Sequence, residues 1–297
     1  MNEYYNYITA SDQDKKWGLF LTVAGYATIS SNVDYPPKGH PSGYYYTWEE
    51  GRVLDEYQLL FITHGEGIFE TRHKTYQVNP GKIILLYPGE WHRYRPNKKT
   101  GWTEHYIGFY GNYAKQILEN EFFSREAPLQ HIGYQDRILD LFQKITDEVK
   151  LEKPGYHQVC SGYLVTLLGS ILSVQRNKEF EGKAIERKIR QARVYFRDNL
   201  RTNIDTEEVA SELDISYSYF RKTFKKFTGI SPSQYHLMLR LQKAKDLLVS
   251  TNMSVKDIAL ELGFQSIFYF TRIFTKKMGY TPTDLRQKKH INQFNSV

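Results

Sequence analysis

Residues 258–286 read IALELGFQSIFYFTRIFTKKMGYTPTDLR, a run of aromatic and basic residues that closes on Gly279, Thr281 and Pro282. The same pattern occurs earlier in the chain. Val209, Ala210, Leu213 and Ile215 match Ile258, Ala259, Leu262 and Phe264 at an offset of 49. Tyr219, Phe220, Phe224, Lys226, Gly229, Ser231 and Pro232 then match Tyr269, Phe270, Phe274, Lys276, Gly279, Thr281 and Pro282 at an offset of 50. A repeat of this kind signals one supersecondary unit used twice. The single added residue falls in the turn between two helices.

Each copy predicts a short helix, a tight turn and a second helix. Asp205 with Glu208 three residues on gives a capping-box-like start, and Ser254 is the N-cap of the equivalent helix. Gly229 and Gly279 suit the left-handed C-cap. Ser231-Pro232 and Thr281-Pro282 then begin a third helix in each copy. Between the copies, Leu237, Leu241, Ala244 and Leu248 recur at helical spacing and predict a connecting helix. In the second copy Tyr269, Phe270, Ile273 and Phe274 make one apolar face, which leaves Ile267, Phe268, Thr271 and Arg272 at or near the opposite side. The outward set of the first copy is Tyr217, Ser218, Arg221 and Lys222. Polar residues on a helix are often only a solvated face. Two such units in a basic segment point instead to two helices entering successive major grooves of DNA, ~34 Å apart.

Charge separates this segment from the rest. From Lys183 onward there are 21 Lys and Arg against 11 Asp and Glu, whereas the preceding residues carry 19 against 22. A strongly basic third attached to an acidic remainder is the footprint of a polyanion-binding module joined to something with another role. The 297 residues are enough for two cores. The one cysteine, Cys160, excludes an internal disulfide framework and multi-cysteine metal sites. The N-terminus has no apolar signal-peptide core, and the apolar run from Tyr163 to Val174 is shorter than a membrane span, so a cytoplasmic protein is expected.

The joint pattern of Gly-Phe, Tyr-Phe, Arg-x-Phe, Lys-Lys, Gly and Thr-Pro in residues 258–286, with its upstream copy, resembles the AraC/XylS family of bacterial transcription regulators. The resemblance implies a seven-helix DNA-binding domain. By matching motif positions, Ser218, Arg221 and Lys222 in one major-groove helix, with Tyr217 beside them, and Ile267, Phe268, Thr271 and Arg272 in the other, face bases or adjoining backbone. Ile267 and Phe268 are bulky where relatives often carry polar residues.

Upstream the pattern becomes strand-like. The runs EYQLLFIT, IFETRHKTYQV, KIILLYPGEWHRY and WTEHYIGFYG are separated by turns such as HGEG and NPG, as in an antiparallel sandwich or barrel. Ile138, Leu141, Phe142 and Ile145 then form one helical stripe, and Val159, Tyr163, Val165, Leu167, Leu168 and Ile171 a second. The second stripe can pack on the barrel or form half of a symmetric dimer interface. PGKIILLYPGEWHRY resembles the second half of the cupin motif in sugar-responsive relatives. The first half, THGEGIFETRH, lacks a His-x-His pair, so His92 stands without the histidine cluster that a catalytic metal needs. By position in the resemblance, Arg52, Tyr94, Glu104 and Tyr106 match pocket residues, and Trp102 and His92 belong to the same region. Glu104 stands where the arabinose-responsive relatives have a histidine.

The expected architecture is a two-domain α+β chain. Residues 1–130 form a cupin-like, jelly-roll β-barrel that binds a ligand, residues 131–176 a helical dimerisation segment, 177–184 a linker and 185–297 a double helix-turn-helix domain. The expected function is a DNA-binding transcription regulator, an activator controlled by a carbohydrate, acting as a homodimer with RNA polymerase. No catalytic residue, cofactor or metal is expected. The alternatives are a ligand-independent regulator whose barrel serves only dimerisation, and a metal-dependent cupin enzyme.

Overall fold

The structure is a computed structural model that describes residues 3–36, 44–120, 122–178 and 180–287. Its contacts divide the chain into two compact units, Met1–Lys178 and Glu179–Val297. Residues 288–297 of the expected DNA-binding domain lie outside the described residues.

In the first unit, β1 (Glu3–Tyr7), α1 (Asp12–Lys16) and β2 (Phe20–Ile29) precede β3 (Tyr57–Gly65), β4 (Gly67–Thr71), β5 (Thr75–Val78), β6 (Lys82–Leu86), β7 (His92–Pro96) and β8 (Trp102–Tyr110). The unit ends with α2 (Asn112–Leu118), β9 (Leu129–His131), α3 (Asp136–Leu151) and α4 (Tyr156–Lys178). A six-stranded sheet runs β1-β2-β8-β3-β6-β9, and a three-stranded sheet runs β5-β4-β7. All strand pairs are antiparallel. The expected barrel is in fact an open sandwich, because the two sheets share a core without joining their ladders.

The large sheet is covered on both faces. Leu59 and Phe61 of β3, Ile83 and Leu85 of β6, and Ile107 and Phe109 of β8 pack with α3 and α4. Their neighbours Leu60, Ile62, Ile84, Leu86 and Trp102 face the small sheet and meet Phe69 and Tyr94. Side chains alternate along a strand, so a strand covered on both faces is apolar at nearly every position. That is why LLFI reads as an unbroken run, with Gln58 before it the one buried polar side chain between Tyr57 and Ile62. The run IFETRHKTYQV is a hairpin rather than one strand, since the Thr71 hydroxyl accepts from the amides of His73 and Lys74 at 3.3 and 3.2 Å.

α4 is longer than its most apolar stretch suggests. By length and composition it is apolar enough to cross a membrane, but Cys160, Leu164, Leu167, Leu168 and Ile171 are wholly buried against α3 and the sheet. Val159, expected in the buried stripe, is 44% exposed.

The second unit contains α5 (Ala184–Asp198), α6 (Thr206–Glu212), α7 (Tyr217–Thr228), α8 (Pro232–Ser250), α9 (Val255–Glu261) and α10 (Ile267–Met278), with residues 282–287 again helical. The repeat emerges as two cores. Phe196, Phe220 and Phe224 anchor one, Phe264, Phe270 and Phe274 the other, and the C-terminal half of α8 belongs to the second. Gly229 and Gly279 hold φ of 86° and 82° at the ends of α7 and α10. Asp205 caps α6 through the amide of Glu207, so Glu208 takes no part; reciprocal capping pairs form instead between Ser231 and Gln234 on α8 and between Thr281 and Asp284.

At the rim of the sandwich Gly101 has φ +63°, and a Cβ there would lie 2.1 Å from the Ile29 carbonyl oxygen. Gly101→Ala is expected to cost at least about 2 kcal/mol, because the backbone strain and the clash act together. All four tryptophans, at 17, 48, 91 and 102, lie in the first unit, so tryptophan fluorescence during urea denaturation reads this loss directly.

Candidate functional site

A cavity lies at the end of the sandwich where β1, β2 and β8 meet the segment before β3. It is lined by Arg52, Tyr94, Glu104 and Tyr106, as expected from the sequence, and also by Tyr5, Tyr7, Tyr35, Tyr44, Tyr46 and Gln58. β8 sets two of these groups. In the register of the sheet Glu104 pairs with Ile62 and Ala27, and Tyr106 with Leu60 and Gly25, so both point to the interior side. Gly25 is required here, since a Cβ would stand 2.4 Å from the Tyr4 carbonyl oxygen as well as 2.7 Å from the Tyr106 hydroxyl. The free volume is about 50 Å³, room for a few water molecules.

Arg52 crosses to β7 through reciprocal backbone hydrogen bonds with His92, both 2.9 Å. Its guanidinium is saturated by neutral partners. Nε donates to His92 Nε2 at 3.1 Å, one Nη to the Tyr44 carbonyl at 2.7 Å, and the other to Gln58 Oε1 and the Tyr94 hydroxyl at 3.3 and 2.5 Å. It also lies over the rings of Tyr46 and Tyr94. Glu104 accepts from the Tyr35 hydroxyl through both carboxylate oxygens at 3.1 Å. Arg52 and Glu104 thus line one cavity without an ion pair between them. Burial pushes the Glu104 carboxyl up to about 7, against the opposing pull of Tyr35 and Arg52.

Two expected ligand residues serve the site from behind. His92 is buried, orients Arg52, and is driven down to about 3 by burial and by the Arg52 charge, so its ring stays neutral. Trp102 is buried in edge-to-face contact with Tyr35 and does not reach the cavity lining. Tyr35, Tyr44 and Tyr46 were not among the expected residues. They lie in DYPPKGHPSGYYYTW, whose prolines and glycines carry no periodicity from which an inward face can be read. Among the described residues no group of three or more His, Cys, Asp or Glu is arranged to hold a metal.

In the second unit, α7 and α10 place their expected residues unequally. Ser218, Arg221 and Lys222 are exposed on α7, but Tyr217 packs partly on the core and its hydroxyl accepts from Thr206 at 3.4 Å. Tyr217 is thereby turned from the outward face on which the sequence placed it. On α10, Phe268 and Arg272 are exposed and Ile267 and Thr271 are half-buried. Tyr269, expected in the core, is 45% exposed and lies 5.8 Å from the Arg272 guanidinium. The site's hidden member is Arg240. It is buried, donates to the Leu262 carbonyl at 2.7 Å, and stacks 3.9 Å from the Phe264 ring, which locks α8 to the turn preceding α10.

A polar cavity in a β-sandwich and a pair of capped, basic helix-turn-helix units define a DNA-binding regulator with a ligand-binding domain. The model of the AraC-like ligand binding domain matches residues 25–159, and a helix-turn-helix domain model matches residues 209–288. Among known proteins, the lactose operon transcription activator of Staphylococcus xylosus is 29% identical over 94% of this chain and 97% of its own length. The MmsAB operon regulatory protein of Pseudomonas aeruginosa is 26% identical over 79% of this chain and 76% of its own. The arabinose operon regulatory protein of Escherichia coli is 25% identical over 77% and 80%. The chain belongs to the AraC family of transcription regulators.

Glu104 has a measurable consequence. Between its ordinary value of 4.5 and about 7, the folded chain holds a proton that the unfolded chain releases. The stabilisation present below that window is lost as pH rises through it. His92 acts in the opposite sense between about 3 and 6.5, but it is common to wild type and variant and cancels in their difference. Glu104→Gln should therefore gain stability relative to wild type between pH 5 and pH 8, as read from paired urea melts.

Proposed function

We propose that the chain is a transcription activator whose N-terminal sandwich senses a sugar. The observation that carries this reading is that half-buried Arg52 and buried Glu104 line one cavity without bonding each other. A sugar offers hydroxyls that donate to a carboxylate and accept from a guanidinium, with ring faces that pack on Tyr35, Tyr46, Tyr94 and Tyr106. The names of the Staphylococcus xylosus and Escherichia coli relatives, a lactose operon activator and an arabinose operon regulator, support a sugar, and the first supports activation.

A pyranose needs more room than the cavity of about 50 Å³ has. β1 contributes Glu3, Tyr5 and Tyr7 to the wall and pairs only with β2, so it is the wall that yields on entry. Binding that favours one arrangement of the chain shifts the population able to hold paired DNA sites. The regulator acts in the cytoplasm as a homodimer, without catalysis or metal, and recruits RNA polymerase while α7 and α10 occupy neighbouring major grooves. The outer face of α4 supports the dimer: Val159 is exposed, and Tyr163, Val165 and Leu172 are only partly covered.

Melting the full chain against monosaccharides, disaccharides and sugar acids tests the sensor. One sugar should raise the melting temperature, as any ligand of the folded state alone must, and Arg52→Ala should abolish the rise. Silence across the panel, with DNA affinity unchanged by sugars, would leave a ligand-independent regulator. For the DNA-binding helices, Arg272→Ala should weaken specific binding by about 1 to 3 kcal/mol and relax preference at one base pair. An equal loss on every sequence would make Arg272 a phosphate contact.

A further inference from the structure

α10 is an unusual surface for a helix that enters DNA. Its inward side is closed, with Phe270 and Phe274 wholly buried, yet Phe268 is 85% exposed, more than any other large apolar side chain among the described residues. The fold has no use for an aromatic at this point, because the equivalent residue of the first copy is Ser218. Around Phe268 lie Ile267, Thr271, Arg272, Thr275 and Lys276. This face has no Asn or Gln to pair with an adenine edge, and no Asp or Glu to accept from cytosine. Gln265 precedes the Ser266 cap and lines a different cleft, with Arg240 and Phe264. Arg272 and Lys276 can serve guanine or phosphate. On an A·T pair the apolar Ile267 and Phe268 have one matching feature in the major groove, the 5-methyl group of thymine.

We propose that α10 recognises A·T pairs by enclosing thymine methyl groups, with Phe268 as the principal contact and Ile267 and Thr271 beside it. Covering a methyl with the ring removes apolar surface of both from water, which an exposed phenyl otherwise leaves unfavourably hydrated. Orientation is preset. The Ser266 hydroxyl caps the helix by accepting from the Tyr269 amide at 3.4 Å, and the Arg272 guanidinium lies 5.8 Å from the Tyr269 ring, while Phe268 projects into solvent. The two readers are chemically unlike. α7 offers Ser218, Arg221 and Lys222, so hydrogen-bonding and charge dominate in its groove, and thymine content marks the groove of α10. This proposal rests on the reading of α10 as a DNA-binding helix.

The test uses the full chain and a duplex enriched from random DNA by repeated binding to it. Each thymine is then replaced singly by deoxyuridine, which keeps every hydrogen-bonding group and removes only the methyl. One or two positions should lose affinity about fourfold each, the scale of one buried methyl-sized group. In Phe268→Ala the same replacements should cost nothing, and in Phe268→Leu part of the penalty should remain. Phe268 is surface-exposed, so neither variant disturbs the core. Tolerance of uracil at every position, or a methyl penalty that persists in Phe268→Ala, overturns the proposal. So does a Phe268→Ala chain that loses self-association while binding DNA normally, since Phe268 would then meet protein. Failure to enrich any duplex overturns the DNA-binding reading at the earlier step, and this proposal with it.

Discussion

A strand covered on both faces can carry no charge on either, and β3 meets that condition from Tyr57 to Ile62 between α3 and α4 on one side and the small sheet on the other. The rest of the first unit follows from it. With the helix-covered face of the large sheet committed to apolar packing, polar interior groups gather at one end of its other face, where β8 contributes Glu104 and Tyr106, β3 contributes Gln58 and the segment before β3 contributes Arg52. The cavity exists because that end is not filled. Its position on β8 is rigid, since β8 is paired on both sides, to β2 and β3, whereas β1 at the edge has one neighbour. A fixed wall of charged groups and a wall that can give way are thus properties of the same sheet.

Two buried guanidiniums show how one residue type serves opposite ends. Arg240 is satisfied by the Leu262 carbonyl, Asn203 and the Phe264 ring, all within its own unit. It acts as a staple that positions the turn leading into α10. Arg52 is satisfied just as fully, yet lines a cavity with Glu104 and has no carboxylate partner. Burying a cation with neutral partners alone is costly unless hydrogen bonds replace hydration. The cost is met at Arg240 by packing and at Arg52 by a ring of tyrosines, which leaves the Arg52 field directed at whatever enters.

The legible parts were those governed by local chemistry. The repeat, the glycine C-caps and the Ser-Pro helix starts are written in residues whose backbone preferences act within a few positions, and they read correctly except at Glu208. Arg52, Tyr94, Glu104 and Tyr106 came through resemblance and do share a cavity. Tyr35, Tyr44 and Tyr46 were not legible, because a loop has no period and its inward residues are chosen by the sheet it crosses. Tyr217 and Tyr269 show the complementary limit. Helical spacing places both within about one residue of a face boundary, and packing decides the side each takes: Tyr217 meets Thr206 of the preceding helix, and Tyr269 stands beside Arg272 of its own helix.

By itself the sequence determined that this chain has a twice-used helix-turn-helix unit in a basic segment and an apolar, strand-rich segment before it. Both are short-range consequences of residue spacing, capping and charge. Tertiary structure alone decided that the two sheets form an open sandwich, that Arg52 and Glu104 meet one cavity unpaired, and that Tyr35, Tyr44 and Tyr46 line it with them. Those outcomes depend on strand register and on contacts between residues dozens of positions apart. Side-chain alternation is the same for either choice of partner strand, so only the assembled packing could select among them.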